Sequence, residues 1–147
     1  MTTNNTKCIH YLNELLSNSY ILYNKTQNYH WNIKTSNFIV FHKLFQEHYE
    51  NLQEALDEIA ERVVILNGEV EGKLSYLINK SQLSDQEVNF KDKTAVLNDL
   101  IVAHLVVENI INDAFESNML DAVTQDLFVN RAKFHQKALW VLSASLA

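Results

Sequence analysis

Proline is absent from this chain and glycine occurs only twice in 147 residues. Without those two breakers, long uninterrupted helices are the expected form of the backbone. A single cysteine, Cys8, excludes an intrachain disulfide and fits a reducing compartment, with the thiol read as inert and semi-buried. No apolar run approaches the ~18–20 residues that span a bilayer, and Met1-Thr2-Thr3-Asn4-Asn5 does not read as a signal peptide. These absences predict a cytoplasmic protein with no membrane partner. Positive charge is scarce as well: 12 Lys and Arg against 18 Asp and Glu give a net charge of -6. A surface of that sign argues against coating nucleic acid.

What the chain has is hydrophobic periodicity. Residues 38–67 carry Phe38, Phe41, Phe45, Tyr49, Leu52, Leu56, Ile59, Val63 and Leu66 at spacings of three and four, one stripe of an amphipathic helix. Similar patterns predict helices over residues 6–33, 92–116 and from about Asp121 onward, with Thr35-Ser36-Asn37 supplying a turn and cap for the second. Both glycines fall in Asn67-Gly68-Glu69-Val70-Glu71-Gly72, where glycine is expected to end that helix. A long connection over residues 73–89 is expected to hold one short helix near Leu74–Lys80. Four helices with a long second connection predict one all-α domain over residues 1–147, a four-helix bundle with a single crossover of the ferritin-like type.

Ligand-type residues concentrate in the first half: His30, His42, Asp57 and Glu61. Asp57 and Glu61 are four apart, so they share a helix face with Cβ atoms roughly 5–6 Å apart. Two imidazoles and two carboxylates suit Fe(II), Mn(II) or Zn(II). With Phe45 at zero on the helical wheel, His42 lies at about 60°, Asp57 at about 120° and Glu61 at about 160°. The carboxylates therefore point away from their own subunit's core, and a four-ligand site is easier to build across a subunit interface. The bland readings are a hydrogen-bonded core histidine for His30, and a solvated acidic face for Glu47, Glu50, Glu54, Asp57, Glu58 and Glu61. Glu47, Glu50 and Glu54 are equally candidates to line a cavity or nucleate mineral. His104 and Glu108 form another i,i+4 pair on which nothing else converges, and His10 and His48 read as surface or interface residues.

The runs His30-Trp31-Asn32, Phe38 to His42 and Asp57-Glu58-Ile59-Ala60-Glu61-Arg62 resemble the signature of the Dps mini-ferritins. Asp121-x-x-Thr124-x-Asp126-Leu127 and His135-Gln136-Lys137-Ala138-Leu139-Trp140 resemble that family's last helix, so the likeness covers about residues 7–146. The resemblance implies a dodecameric homo-oligomer that oxidises Fe(II), with hydrogen peroxide as preferred oxidant, and stores Fe(III) mineral within its shell. It implies ferroxidase centres between subunits, with His30 and His42 from one chain and Asp57 and Glu61 from the other. It also places Trp31 and Gln46 near the centre, and Asp121 and Asp126 along a pore. Gln46 and Asn130 stand where the family often has acids, and Gln136 where it often has Glu.

Three other functions compete. Some Dps proteins condense DNA, but Lys7 is the only lysine or arginine in the first 24 residues and the chain ends Ser143-Ala144-Ser145-Leu146-Ala147. Direct DNA binding is therefore not expected. A di-iron site inside each bundle needs Glu-x-x-His pairs, and none of the six histidines has a glutamate three residues before it. The third alternative is a structural helical oligomer whose ligand-type residues are accidental.

Overall fold

The computed structural model describes residues 3–147, with side chains described from Asn5 onward. Met1 and Thr2, part of the segment read above as lacking a signal peptide, lie outside the described residues. Five helices follow in order: α1 (Thr3–Asn32), α2 (Phe38–Ile65), α3 (Leu74–Lys80), α4 (Lys93–Glu116) and α5 (Ala122–Ala144). No strand occurs among the described residues. The four long helices form the bundle and α3 lies in the crossover between α2 and α4. The pairs α1–α2 and α4–α5 pack most extensively, α1 also packs on α4, and α2 touches α5 only sparsely.

The apolar stripe of α2 is buried as its spacing requires, with Phe41, Phe45, Leu52, Leu56, Ile59 and Val63 all inside. Leu12, Leu15, Leu22 and Tyr29 of α1 meet it, and Leu97, Leu100, Val107, Phe128 and Leu142 close the core from the other side. By length and composition α4 is apolar enough to cross a membrane. Within the bundle it is a core helix, burying Val96, Leu100, His104, Val107 and Ile111 along one face.

Glycine does not end α2 in the expected way. Asn67 takes the left-handed conformation, with φ at 62°, and no glycine has a positive φ. The Gly68 N–H bonds the Val63 carbonyl at 2.9 Å and the Asn67 N–H bonds that of Val64 at 2.9 Å, the two bonds of a Schellman cap. Gly68 is needed for proximity: a Cβ there would lie 2.7 Å from Cδ1 of Ile9 on α1. At the start of α2, Asn37 occupies the cap position but its side chain makes no cap bond.

The crossover is tied down by polar side chains of α1. Lys25 donates to the Gln86 carbonyl and to Asp99, both at 2.8 Å. The Val88 N–H donates to the Tyr29 hydroxyl at 3.2 Å, and Asn18 accepts from the Gln82 N–H at 2.8 Å. These bonds satisfy backbone groups that an irregular segment would otherwise leave unpaired.

Candidate metal centre

His30 sits near the end of α1 and His42 just past the first turn of α2, so the tight turn at residues 33–37 brings them together. Their rings stack with centroids 3.8 Å apart and planes 15° from parallel. Nδ1 of His30 lies 2.6 Å from the His42 carbonyl oxygen, and Nδ1 of His42 lies 2.8 Å from that of His30. A carbonyl can only accept, so each Nδ1 carries the hydrogen. In the neutral ring, Nε2 then holds the lone pair, the form in which imidazole ligates a metal. Both rings are thus oriented by a bond at Nδ1, which leaves each Nε2 available to a metal. Tyr49 meets the His30 ring edge to face at 5.1 Å, and Phe38 stacks on His42 at 4.8 Å.

Asp57 and Glu61 are exposed on the same helix as His42. Fifteen residues separate His42 from Asp57, which is about 22 Å along a helix axis. No single ion bridges that gap. Among the described residues, no group of three or more His, Cys, Asp or Glu side chains is gathered closely enough to hold a metal. Within one chain the imidazoles and the carboxylates are therefore far apart. Asp57 borders a cavity of about 650 Å³ together with Tyr20, Gln53 and Glu54. Glu61 borders a smaller one, about 220 Å³, that it shares with Glu58, Arg62 and Asp126.

Of the residues expected beside the centre, Trp31 is 60% exposed. Gln46 donates to Glu50 at 2.8 Å and so presents a neutral amide to the α2 surface. Glu47, Glu50 and Glu54 are all exposed. Asp121 caps α5, accepting from the Val123 and Thr124 N–H groups at 3.1 and 3.0 Å. It also accepts from Arg62 at 2.8 Å and from the Thr124 hydroxyl at 2.6 Å. Burial opposes its charge, but the Thr124 bonds and the Arg62 guanidinium prevail and hold its carboxyl down at about 2. Cys8, 1% exposed, points its thiol at the same carboxylate from 3.6 Å. Asp126 is exposed and accepts only a long 3.5 Å bond from Asn130. Asp121 is locked within its own subunit, whereas Asp126 faces outward.

His48 departs from its expected surface position: it is 8% exposed. On the α2 wheel it lies at about -60°, in phase with Phe41, Leu52 and Ile59, so the periodicity could have placed it. It joins His104 and His135, both fully buried, where Nδ1 of His104 lies 2.9 Å from Nδ1 of His135. Arg131, also buried, stacks on Phe134 at 4.7 Å and donates to Asn51 at 2.7 Å. Sequence reasoning missed this polar cluster because its members come from three helices.

Burial pushes His48 down to about 4 and His104 to about 3, and His135 falls well below its ordinary value for the same reason. The positive Arg131 reinforces this at His104 and His135. Folded values below the unfolded one mean that the unfolded chain binds protons first. The stability these neutral rings contribute is complete above about pH 6.5 and is lost as pH falls toward 4. The melting temperature is expected to drop between about pH 7.5 and about pH 5, and His48→Gln should reduce that drop. Equal drops in both proteins would show that His48 stays uncharged in the unfolded chain or is exposed in the native one.

Comparison with known proteins agrees with this architecture. The model of the ferritin-like domain family matches residues 9–147. A DNA protection during starvation protein of Agrobacterium fabrum is 32% identical over 135 residues, covering 90% of this chain and 83% of the relative. A low temperature-induced protein of Nostoc sp. is 31% identical over 137 residues, 91% of this chain and 76% of the relative. Among solved structures, the Dps protein of Vibrio cholerae superposes with a TM-score of 0.91 at 27% identity, covering 99% of this chain and 92% of that one. It is described as a member of a broad superfamily of ferritin-like diiron-carboxylate proteins. Dps of Mycobacterium smegmatis gives a TM-score of 0.92 at 26% identity over 97% of this chain and 88% of that one.

Proposed function

This chain belongs to the ferritin-like family as a Dps-type mini-ferritin, and from that membership we propose that it stores iron by oxidising Fe(II) at centres shared between two subunits. The observation that carries this reading is the separation of the halves. His30 and His42 are paired and oriented at one end of α2, while Asp57 and Glu61 stand about 22 and 28 Å along it. A two-fold dimer that runs two α2 helices antiparallel brings each imidazole pair to the other chain's carboxylates, making the site twice.

In that centre Nε2 of His30 and of His42 and the carboxylates of Asp57 and Glu61 bind Fe(II) as substrate. Their negative charge stabilises Fe(III) more than Fe(II), so electron loss is favoured. Hydrogen peroxide is the proposed oxidant, and a hollow dodecamer in the cytoplasm the proposed vessel for the ferric mineral. The test is anaerobic Fe(II) titration of the assembled particle, then peroxide addition followed by absorbance, with particle mass measured alongside. Saturable Fe(II) binding, prompt oxidation and a mass near twelve chains support the reading. A particle that binds no Fe(II) refutes it.

Asp126 offers the iron a way in. It borders the same cavity as Glu58 and Glu61, so a carboxylate path leads from the start of α5 toward the ligand Glu61. Three chains meeting there would present a ring of Asp126 carboxylates that draws cations inward. Asp126→Asn is expected to slow iron uptake at low ionic strength, with the difference fading as salt rises. Uptake equal to wild type at low salt would remove Asp126 from the route. Asp121, bound by Arg62 and by its own helix, has the smaller share in that ring.

The relatives' printed names raise DNA protection as a second reading. Direct DNA coating finds little support in a chain of net charge -6, because binding phosphates depends on lysines and arginines that displace counterions.

A further inference from the structure

We propose that Tyr49, Tyr23 and Tyr20 form an electron relay that joins the two iron centres of a dimer. The proposal rests on the inter-subunit reading above. Tyr49 touches the His30 ring at 5.1 Å, Tyr23 touches Tyr49 at 6.1 Å, and Tyr20 touches Tyr23 at 6.1 Å, each edge to face. Tyr20 borders the cavity on whose wall Asp57 stands. The line of rings therefore starts at the imidazole half-site of a chain and ends beside its carboxylate half-site. In a two-fold dimer those halves belong to different centres, so one chain's tyrosines connect the pair.

The chemistry gives this connection a task. Gln46 brings no charge and is engaged with Glu50, so each centre has two carboxylates and two imidazoles, a set that holds one Fe(II) firmly. Reducing peroxide to water takes two electrons, and one Fe(II) supplies one. The relay delivers the second. At the centre that binds peroxide, the local Fe(II) gives one electron and the O–O bond breaks. Tyr49 gives the other electron, and its phenolic proton completes a water at the cleaved oxygen. The vacancy moves through Tyr23 to Tyr20 and is filled by Fe(II) at the second centre, each phenol regaining its proton. In sum, two Fe(II) become two Fe(III), and one peroxide with two protons becomes two waters, with no hydroxyl radical released. Tyr29 stands apart from this line: its ring meets Phe90 and its hydroxyl donates to Asp99.

The experiment compares wild type, Tyr49→Phe, Tyr23→Phe and, as a control away from the line, Tyr11→Phe. Phenylalanine keeps each ring contact but cannot be oxidised in this way. Particles are loaded anaerobically with one Fe(II) per subunit and pulsed with half as much peroxide, and hydroxyl radical is captured with a spin trap. Tyr49→Phe and Tyr23→Phe should bind Fe(II) as wild type does, oxidise close to one iron per peroxide instead of two, and give several-fold more trapped radical. Wild type loaded with one Fe(II) per dimer should leave a freeze-trapped tyrosyl radical signal that Tyr49→Phe lacks. Unchanged stoichiometry and trapped radical in both variants overturn the relay while leaving the centre in place. Absent Fe(II) binding in wild type removes the centre and the relay together.

Discussion

Replacing His30 and His42 together by alanine is expected to slow peroxide-driven Fe(II) oxidation on the order of 100-fold, the scale on which loss of metal-site residues acts. The two rings are the only imidazoles at their half-site, and each is oriented by the other's backbone. Removing one ring alone leaves the other held by its carbonyl bond and still able to ligate, so the double variant is the clean comparison. Its structural cost should be small. The two lost bonds link neighbouring helix ends, worth about 1 kcal/mol each, and the bundle core beneath them is untouched. Stopped-flow absorbance gives the rate, and circular dichroism during heating shows whether the fold persists. Oxidation within a few-fold of wild type in a folded particle would place the centre elsewhere.

Mixing two inactive proteins should restore activity. The double histidine variant keeps Asp57 and Glu61, and Asp57→Asn/Glu61→Gln keeps His30 and His42. Unfolded together in equal amounts and reassembled, they pair at random, so roughly half of the two-fold dimers contain one chain of each kind. Each mixed dimer has one complete centre and one with no native ligand. The mixture should therefore recover roughly a quarter of wild-type oxidation, against almost none for either parent. Recovery indistinguishable from the parents would mean that the four ligands do not meet across a two-fold interface. The distance along α2 makes this the sharpest test of the proposed centre, since no rearrangement of a single straight helix brings His42 to Asp57.

Much of the fold was legible because helical periodicity is local. The stripe from Phe38 to Leu66 places α2, and Asp92 and Asp121 mark the starts of α4 and α5, where both act as caps by side chain. The first helix begins at Thr3 rather than Thr6, and α2 ends at Ile65 rather than at residue 67. Those ends depend on cap geometry, which several residue types can supply, and Asn67 took the left-handed position expected of glycine. The four ligand-type residues were visible in the sequence as well, with the offset of the carboxylates from their own core stripe.

His48 illustrates what local reasoning misses. Its phase on α2 sets it beside the core stripe, but its partners His104 and His135 come from α4 and α5, which no single helix's pattern reveals. The same holds for Arg131, whose burial reflects Phe134 on its own helix and Asn51 on α2.

The sequence by itself determined the helical class, the number and order of the helices, and the set of residues able to ligate a metal, because each depends on residue type and short-range spacing. Tertiary structure decided the rest. It turned His30 and His42 into an oriented pair through bonds to each other's carbonyls, committed Asp121 to Arg62 and left Asp126 outside. It also set Tyr49, Tyr23 and Tyr20 edge to face between His30 and the cavity that Asp57 borders. Those outcomes depend on which side chains of different helices meet, and that is fixed by packing four helices around one core.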